Sequence, residues 1–147
     1  MFAKSAAPKL FTAGVYASAS VVREVARDLP GDTGVLLSTV VDIDAEVRSF
    51  VLDDRVLSAA AYEGELGPGE LEAAIALAER IAAHPLVPRS CVLDLGRVRE
   101  GPERSARWVL VEANAAWGAG LNGCTPEAAA RCIEAAWLDE EEFRTRR

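Results

Sequence analysis

Glu112 and Asn114 stand two positions apart in Trp108-Val109-Leu110-Val111-Glu112-Ala113-Asn114, and Asp94 precedes them in Cys91-Val92-Leu93-Asp94-Leu95-Gly96-Arg97. On a strand, side chains alternate between faces, so Glu112 and Asn114 point the same way while Val111 and Ala113 face the opposite side. If the two segments pair antiparallel through a charged loop from Arg97 to Arg107, Asp94 brings a third oxygen to the same place. Three hard oxygen donors suit Mg²⁺, which keeps several waters and completes its octahedron with substrate phosphates. That chemistry points to a nucleotide. The plainer reading makes Asp94 and Glu112 a pair of ordinary strand-end carboxylates.

The elements around these residues follow from periodicity and turn chemistry. Met1 to Lys4 reads as a short strand and Ser5 to Ala19 as a small-residue loop. Val21, Val22, Val25 and Leu29 recur at helical spacing, predicting a helix from Ser20 to Leu29 that Pro30-Gly31 stops. Val35 to Val41 is a β-branched apolar run. Glu46 to Leu52 and Arg55 to Tyr62 flank Asp53-Asp54, a two-residue link of the kind that closes a hairpin. After Gly67-Pro68-Gly69, an alanine-rich segment from Glu70 to Ala83 presents Leu71, Ala74, Ile75, Ala78 and Ile81 on one helical face. His84-Pro85 ends it. The strands carrying Asp94 and Glu112 come next. Thr125-Pro126-Glu127 then supplies an N-cap, an N1 proline and an early acid for a last helix through about Leu138. The tail from Asp139 to Arg147 is charged and expected to fray. Tight links pair strands antiparallel and the helices need a sheet face, so the expected fold is α+β, an antiparallel sheet backed by helices.

Composition bounds what this fold can do. With 147 residues, 50% of them hydrophobic, the chain suits one globular domain, residues 1–138, with the tail 139–147 outside it. No apolar run approaches the roughly 20 residues a membrane helix needs, and the start lacks a signal-peptide pattern, so a soluble, cytoplasmic protein is expected. Cys91, Cys124 and Cys132 show no metal-binding spacing and read as buried thiols of a reducing compartment. A net charge of −7 argues against general nucleic-acid binding. Neither a P-loop nor a GxGxxG occurs, so phosphate binding must use another arrangement.

A lysine near the start, a strand with an acid and an arginine, and Asp…Glu-x-Asn, in this order, resemble the ATP-grasp superfamily and its carboxy-terminal catalytic core. Phe2-Ala3-Lys4, Lys9-Leu10-Phe11-Thr12-Ala13-Gly14-Val15-Tyr16, Glu46-Val47-Arg48-Ser49-Phe50-Val51 and the block from Val111 to Leu121 look like the small bacterial and phage ATP-grasp proteins. The resemblance implies ATP and Mg²⁺ as ligands, with Asp94, Glu112 and Asn114 holding the metal and Lys4 contacting phosphates. It implies that Val35 to Thr39, including Leu37 and Ser38, hydrogen-bonds adenine through its backbone, and that Glu46 binds the ribose hydroxyls. Arg48, on the same strand face as Glu46, would reach the γ-phosphate or an acyl phosphate. The implied activity is a carboxylate-amine ligase working through an acyl-phosphate intermediate on an unknown acid and amine. Compared with the family, the amino-terminal lobe is expected to be largely missing: the chain is a fragment, a second copy or a separate chain supplies the lobe, or activity has been lost. The competing reading is a catalytically inactive remnant serving as an interaction module or as half of a complex.

Several positions also have purely structural readings. Lys4 and Lys9 suit solvated surface charges, and Glu46 with Arg48 suits a same-face pair on an exposed strand. Arg97 either contacts phosphate or opens a solvated hairpin loop. Trp108 and Trp117 read as core anchors. Gly118 and Gly120 either let backbone amides approach an anion or simply make a turn.

Overall fold

A computed structural model describes residues 1–7, 9–100 and 105–137, and the chain divides into two compact units, Met1–Asp42 and Ile43 onward. The first holds a three-stranded antiparallel sheet of order β2-β1-β3, made of β1 (Phe2–Ser5), β2 (Gly14–Val15) and β3 (Val35–Ser38). β2 lies inside the segment read from sequence as loop, since two residues without alternation leave no period to detect. Helix α1 (Ala19–Val25) is capped by Ser18, whose hydroxyl accepts from Val21 N, and ends well before Pro30. Its expected last turn up to Leu29 is a run of turns. Ala3, Ser5 and Val22 are buried in this unit.

The second unit is built on a four-stranded antiparallel sheet of order β5-β4-β6-β7: β4 (Ile43–Leu52), β5 (Arg55–Glu63), β6 (Ser90–Glu100) and β7 (Ser105–Asn114). Asp53 and Asp54 both take positive φ, 48° and 64°, the type I′ geometry whose twist matches that of the strands it joins. Helix α2 (Glu70–Ala82) follows β5. Its Ala74, Ala78 and Ala82 lie one above another and are buried against Val47, Val51, Cys91, Leu93 and Leu95. Small side chains let the helix sit close on the sheet, while Leu71, Leu77 and Ile81 seal the margins.

Helix α3 (Pro126–Ala135) covers part of the opposite face. Thr125 caps it, accepting from Ala128 N, and Ala129 and Cys132 pack on Phe50 and Val92 with Ala116 from a short 3₁₀ turn, Ala116–Gly118. The helix ends at Ala135, short of the expected end near Leu138, and the charged tail lies outside the described residues. The three thiols are free and buried, and burial pushes the Cys91 thiol up to about 11. Trp108 packs on the α2 side. Trp117 departs from expectation: it is 72% exposed, because the 3₁₀ turn that buries Ala116 points its next residue outward. Both sheets are antiparallel and three helices accompany them, an α+β fold. Among the described residues no helix is long and apolar enough to cross a membrane.

Candidate functional site

Alternation along β4 sends Val47 and Val51 under α2 and turns Glu46 and Arg48 to the other face. Register then assembles a row: Arg48 pairs with Asp94 across β4 and β6, and Asp94 with Glu112 across β6 and β7. In the next row, Phe50 and Val92 pass under α3 and Val92 pairs with Asn114. The polar row therefore begins where the helix cover ends. The antiparallel pairing expected for the Asp94 and Glu112 strands is present, but the charged loop is not: both strands continue through Arg97, Val98, Arg99 and Arg107, leaving residues 101–104 between them. Asp94 is thus in mid-strand, 1% exposed, rather than at a strand end.

Arg48 binds Asp94 side-on, Nε to Oδ1 at 2.8 Å and Nη2 to Oδ2 at 2.7 Å, while Nη1 donates to the Gly120 carbonyl at 2.9 Å. Its guanidinium also lies 5.5 Å from the centroid of the Tyr62 ring. The bonds it donates to Asp94 hold the Arg48 pKa above its ordinary value, against the opposing effect of burial. The Asn114 amide joins the acids, Nδ2 donating to Glu112 Oε1 at 2.9 Å and to Asp94 Oδ2 at 3.3 Å. Glu46 does not pair with Arg48; it accepts from the Tyr62 hydroxyl. Burial, then that bond to a carboxylate, raises the Tyr62 pKa.

Two irregularities in the sheet shape this face. The register skips a residue between Asp94 and Leu95, so Val111 is the extra residue of a bulge in β7. Instead of facing away, its Cγ2 lies 2.9 Å from where a Cβ on Gly96 would stand, on the Asp94 side. Any side chain at residue 96 would collide with Val111 and Ile43, which explains the glycine. A second bulge, between Glu46 and Val47, makes Tyr62 the extra residue of β5 and brings it to Glu46.

Of the residues singled out from sequence, Glu46, Arg48, Asp94, Glu112 and Asn114 come together here. Lys4, Leu37 and Ser38 belong to the first unit, where Lys4 pairs with Leu36, Leu37 with Ala3 and Ser38 with Phe2. By alternation, Lys4 and Ser38 share a face of that sheet, and β3 is its edge strand. Arg97 is no loop residue: it is 5% exposed on the α2 face, bonded to Asp44 and Glu70. Gly118 donates its amide to Ala115 O at 3.0 Å, which takes it out of the anion reading, and the Gly120 carbonyl accepts from Arg48. Tyr62 and the Gly120 carbonyl were not read from sequence. An aromatic ending the small-residue run Ser58-Ala59-Ala60-Ala61 is the one local signal for the first; the second has none.

Among the described residues, no three His, Cys, Asp or Glu side chains gather in metal-holding geometry, so a metal set must draw on Asn114. Two carboxylates and an amide form a hard-oxygen donor set, which fits Mg²⁺. A pocket of about 460 Å³, lined by Arg89, Cys91, Asn114, Ala116 and Trp117 among others, adjoins the Asn114 end of this row. Its size is that of a small-molecule site.

The family model for an ATP-grasp domain, the second family of its clade, matches residues 1–132, spanning both units. No curated protein and no solved structure matches the chain. With the acid row and its arginine in one sheet and the match extending over nearly the whole sequence, the chain belongs to this family of the ATP-grasp superfamily, a family of ATP-binding domains.

Proposed function

We propose that this chain binds Mg-ATP and uses it as a carboxylate-amine ligase, through an acyl phosphate, with residues 1–138 acting as the ATP-grasp core. The observation that carries the reading is the convergence of Arg48, Asp94, Glu112 and Asn114 in a chain of this family. Phosphoryl transfer asks little covalent help of a protein; it needs groups held in line and charge neutralised as it builds. The Asp94, Glu112 and Asn114 end would hold Mg²⁺, which supplies Lewis acidity and bridges phosphate oxygens when bound. Arg48, already held on three sides, would meet the transferring group without reorganising, and Lys4 would contact phosphate. Leu37 and Ser38 lie on an edge strand, whose outer backbone edge suits adenine, and Glu46 would take the ribose hydroxyls once the Tyr62 hydroxyl releases its carboxylate. The pocket beside Asn114 offers room for the acceptor acid.

A second reading, an inactive interaction module or half of a complex with another copy or chain, draws on the exposed Leu36 and Leu37 of the same edge strand. Thermal unfolding with and without Mg-ATP separates the two. A ligand at a hundred times its Kd stabilises the folded state by about 2.7 kcal/mol. A shift that requires Mg²⁺ and disappears in Glu112→Gln supports the ligase reading, with product formation from candidate acids and amines as its next test. No shift at millimolar ATP supports the module.

A further inference from the structure

Two Ala-Ala-Trp triplets help to wall the pocket beside Asn114: Ala115 and Ala116 follow β7, Ala135 and Ala136 end α3, and Trp117 forms a further side. Both triplets end in an exposed tryptophan, Trp117 by 72% and Trp137 by 80%, although this residue type is on average highly buried. Small side chains on separate elements leave open the cavity of about 460 Å³ that larger ones would fill. Cys91, whose thiol burial keeps protonated, behaves as another small hydrophobe of the lining. The polar groups of the walls are engaged within the protein. Ser90 Oγ donates to the Cys132 carbonyl, Arg89 binds both oxygens of Asp53 at 2.8 and 2.9 Å, and the Asn114 amide donates into the row. Among the described residues no carboxylate lines this pocket. It therefore rewards apolar surface and offers no counter-charge to a cation, nor to an anion unless Asp53 is displaced.

We infer that this pocket seats the acid substrate and selects a small monocarboxylic acid with an aliphatic or aromatic body, its carboxylate toward Asn114 and its body against Trp117 and the alanines. The inference rests on the ligase reading above and names the class of acid that reading leaves open. Orientation follows from placement. Asn114 belongs both to the row and to the pocket lining, so a carboxylate at that end lies beside the proposed site of phosphoryl transfer while the rest of the acid enters the cavity. A body carrying a second charge would give up its water without gaining a partner, which costs far more than apolar burial returns. Each methylene buried, by contrast, strengthens binding about fourfold.

Isothermal titration calorimetry on the full chain, with and without Mg²⁺ and a non-hydrolysable ATP analogue, tests this with butanoate, pentanoate, hexanoate and phenylpropanoate. Affinity should rise about fourfold per methylene from butanoate to hexanoate. Adipate and ε-aminohexanoate, which place a carboxylate or an ammonium at the far end, should bind at least about tenfold less tightly than hexanoate. Trp117→Ala, a change at an exposed side chain outside both core clusters, should weaken hexanoate and phenylpropanoate by roughly tenfold and butanoate by less. Ala115→Leu fills the space and should remove the gain from butanoate to hexanoate; Ala115 is exposed, and the bond its carbonyl accepts from Gly118 needs no side chain. Ala136→Leu takes its place should the fold be lost. Equal affinity along the series, adipate matching hexanoate, or no binding of any acid under either condition overturns the assignment. The ligase reading is tested apart, with Mg-ATP, hexanoate and hydroxylamine. Transfer of the γ-phosphoryl group to the carboxylate releases ADP, and attack of the hydroxylamine nitrogen on the acyl carbon then expels phosphate and a proton, leaving a hydroxamate. Chain-length-dependent binding without hydroxamate supports the pocket assignment and overturns the ligase reading. Hydroxamate formed equally well from adipate and hexanoate overturns the pocket assignment and leaves the ligase reading standing.

Discussion

On one face of the second sheet Arg48 shares its surroundings with Glu46, Asp94 and Glu112; on the other, Arg97 and Arg99 meet Asp44 and Glu70. The first joins side chains of three strands, β4, β6 and β7, beside a pocket. Two against two is balanced, and it ties the first turn of α2 to β4 and β6. Both clusters exploit a bulge, for Asp44 is the extra residue between Ile43 and Ala45 just as Val111 is in β7. Similar residue types therefore stand in two settings, one tied to a helix and one beyond the helix cover. The balanced cluster fastens a helix to the sheet, while the other is where the proposed ligands would bind.

The largest effect that would sharpen this contrast lies in the buried pair. Asp94→Leu alone strands the Arg48 guanidinium and should cost about 3–5 kcal/mol in urea unfolding, whereas adding Arg48→Met should restore stability close to wild type. A single variant as stable as the parent would break the comparison. Next comes Glu112→Gln, expected to fold normally but to lose the Mg-ATP-dependent stabilisation, about 2.7 kcal/mol at a hundred times Kd, that raises Tm in the parent. Arg97→Met should lower Tm by less than Asp94→Leu, since Asp44 and Glu70 keep about a quarter of their side-chain surface in water; ligand binding should be untouched.

Acid should unfasten the balanced cluster over a definite window. Hydrogen bonds from Arg97, then Arg99, lower the Asp44 pKa to about 2. A carboxyl depressed in the folded state stabilises it fully above its unfolded value near 4, and that contribution fades as pH falls from about 4 toward 2. Comparing acid unfolding of the parent with Asp44→Asn checks this, because the variant should lack that part of the pH dependence. The smallest effect has the opposite sign. Ser49 Oγ is buried beneath α2 without a hydrogen-bond partner among the described residues, so Ser49→Ala should raise stability by about 1 kcal/mol.

Much of this architecture was legible in local pattern. Asp53-Asp54 announced its hairpin because two successive positive φ values favour such residues, and Thr125-Pro126 announced a helix start through capping chemistry. Leu71, Ala74, Ala78 and Ile81 announced the buried face of α2. Arg97 was misplaced because polarity alone suggests solvent, whereas its guanidinium is neutralised by acids distant in sequence. Trp117 was misplaced by the converse error, since hydrophobicity does not say which way a short turn points.

The sequence by itself determined that Glu112 and Asn114 share a face and that an acid strand would join them, since alternation and antiparallel pairing are local rules. Only the tertiary structure decided that Asp94 is held by Arg48, that Tyr62 takes Glu46 and that Val111 turns inward beside Gly96. Those outcomes depend on register and on bulges, where one residue's slip between strands re-aims a side chain, and no spacing within a single strand records it.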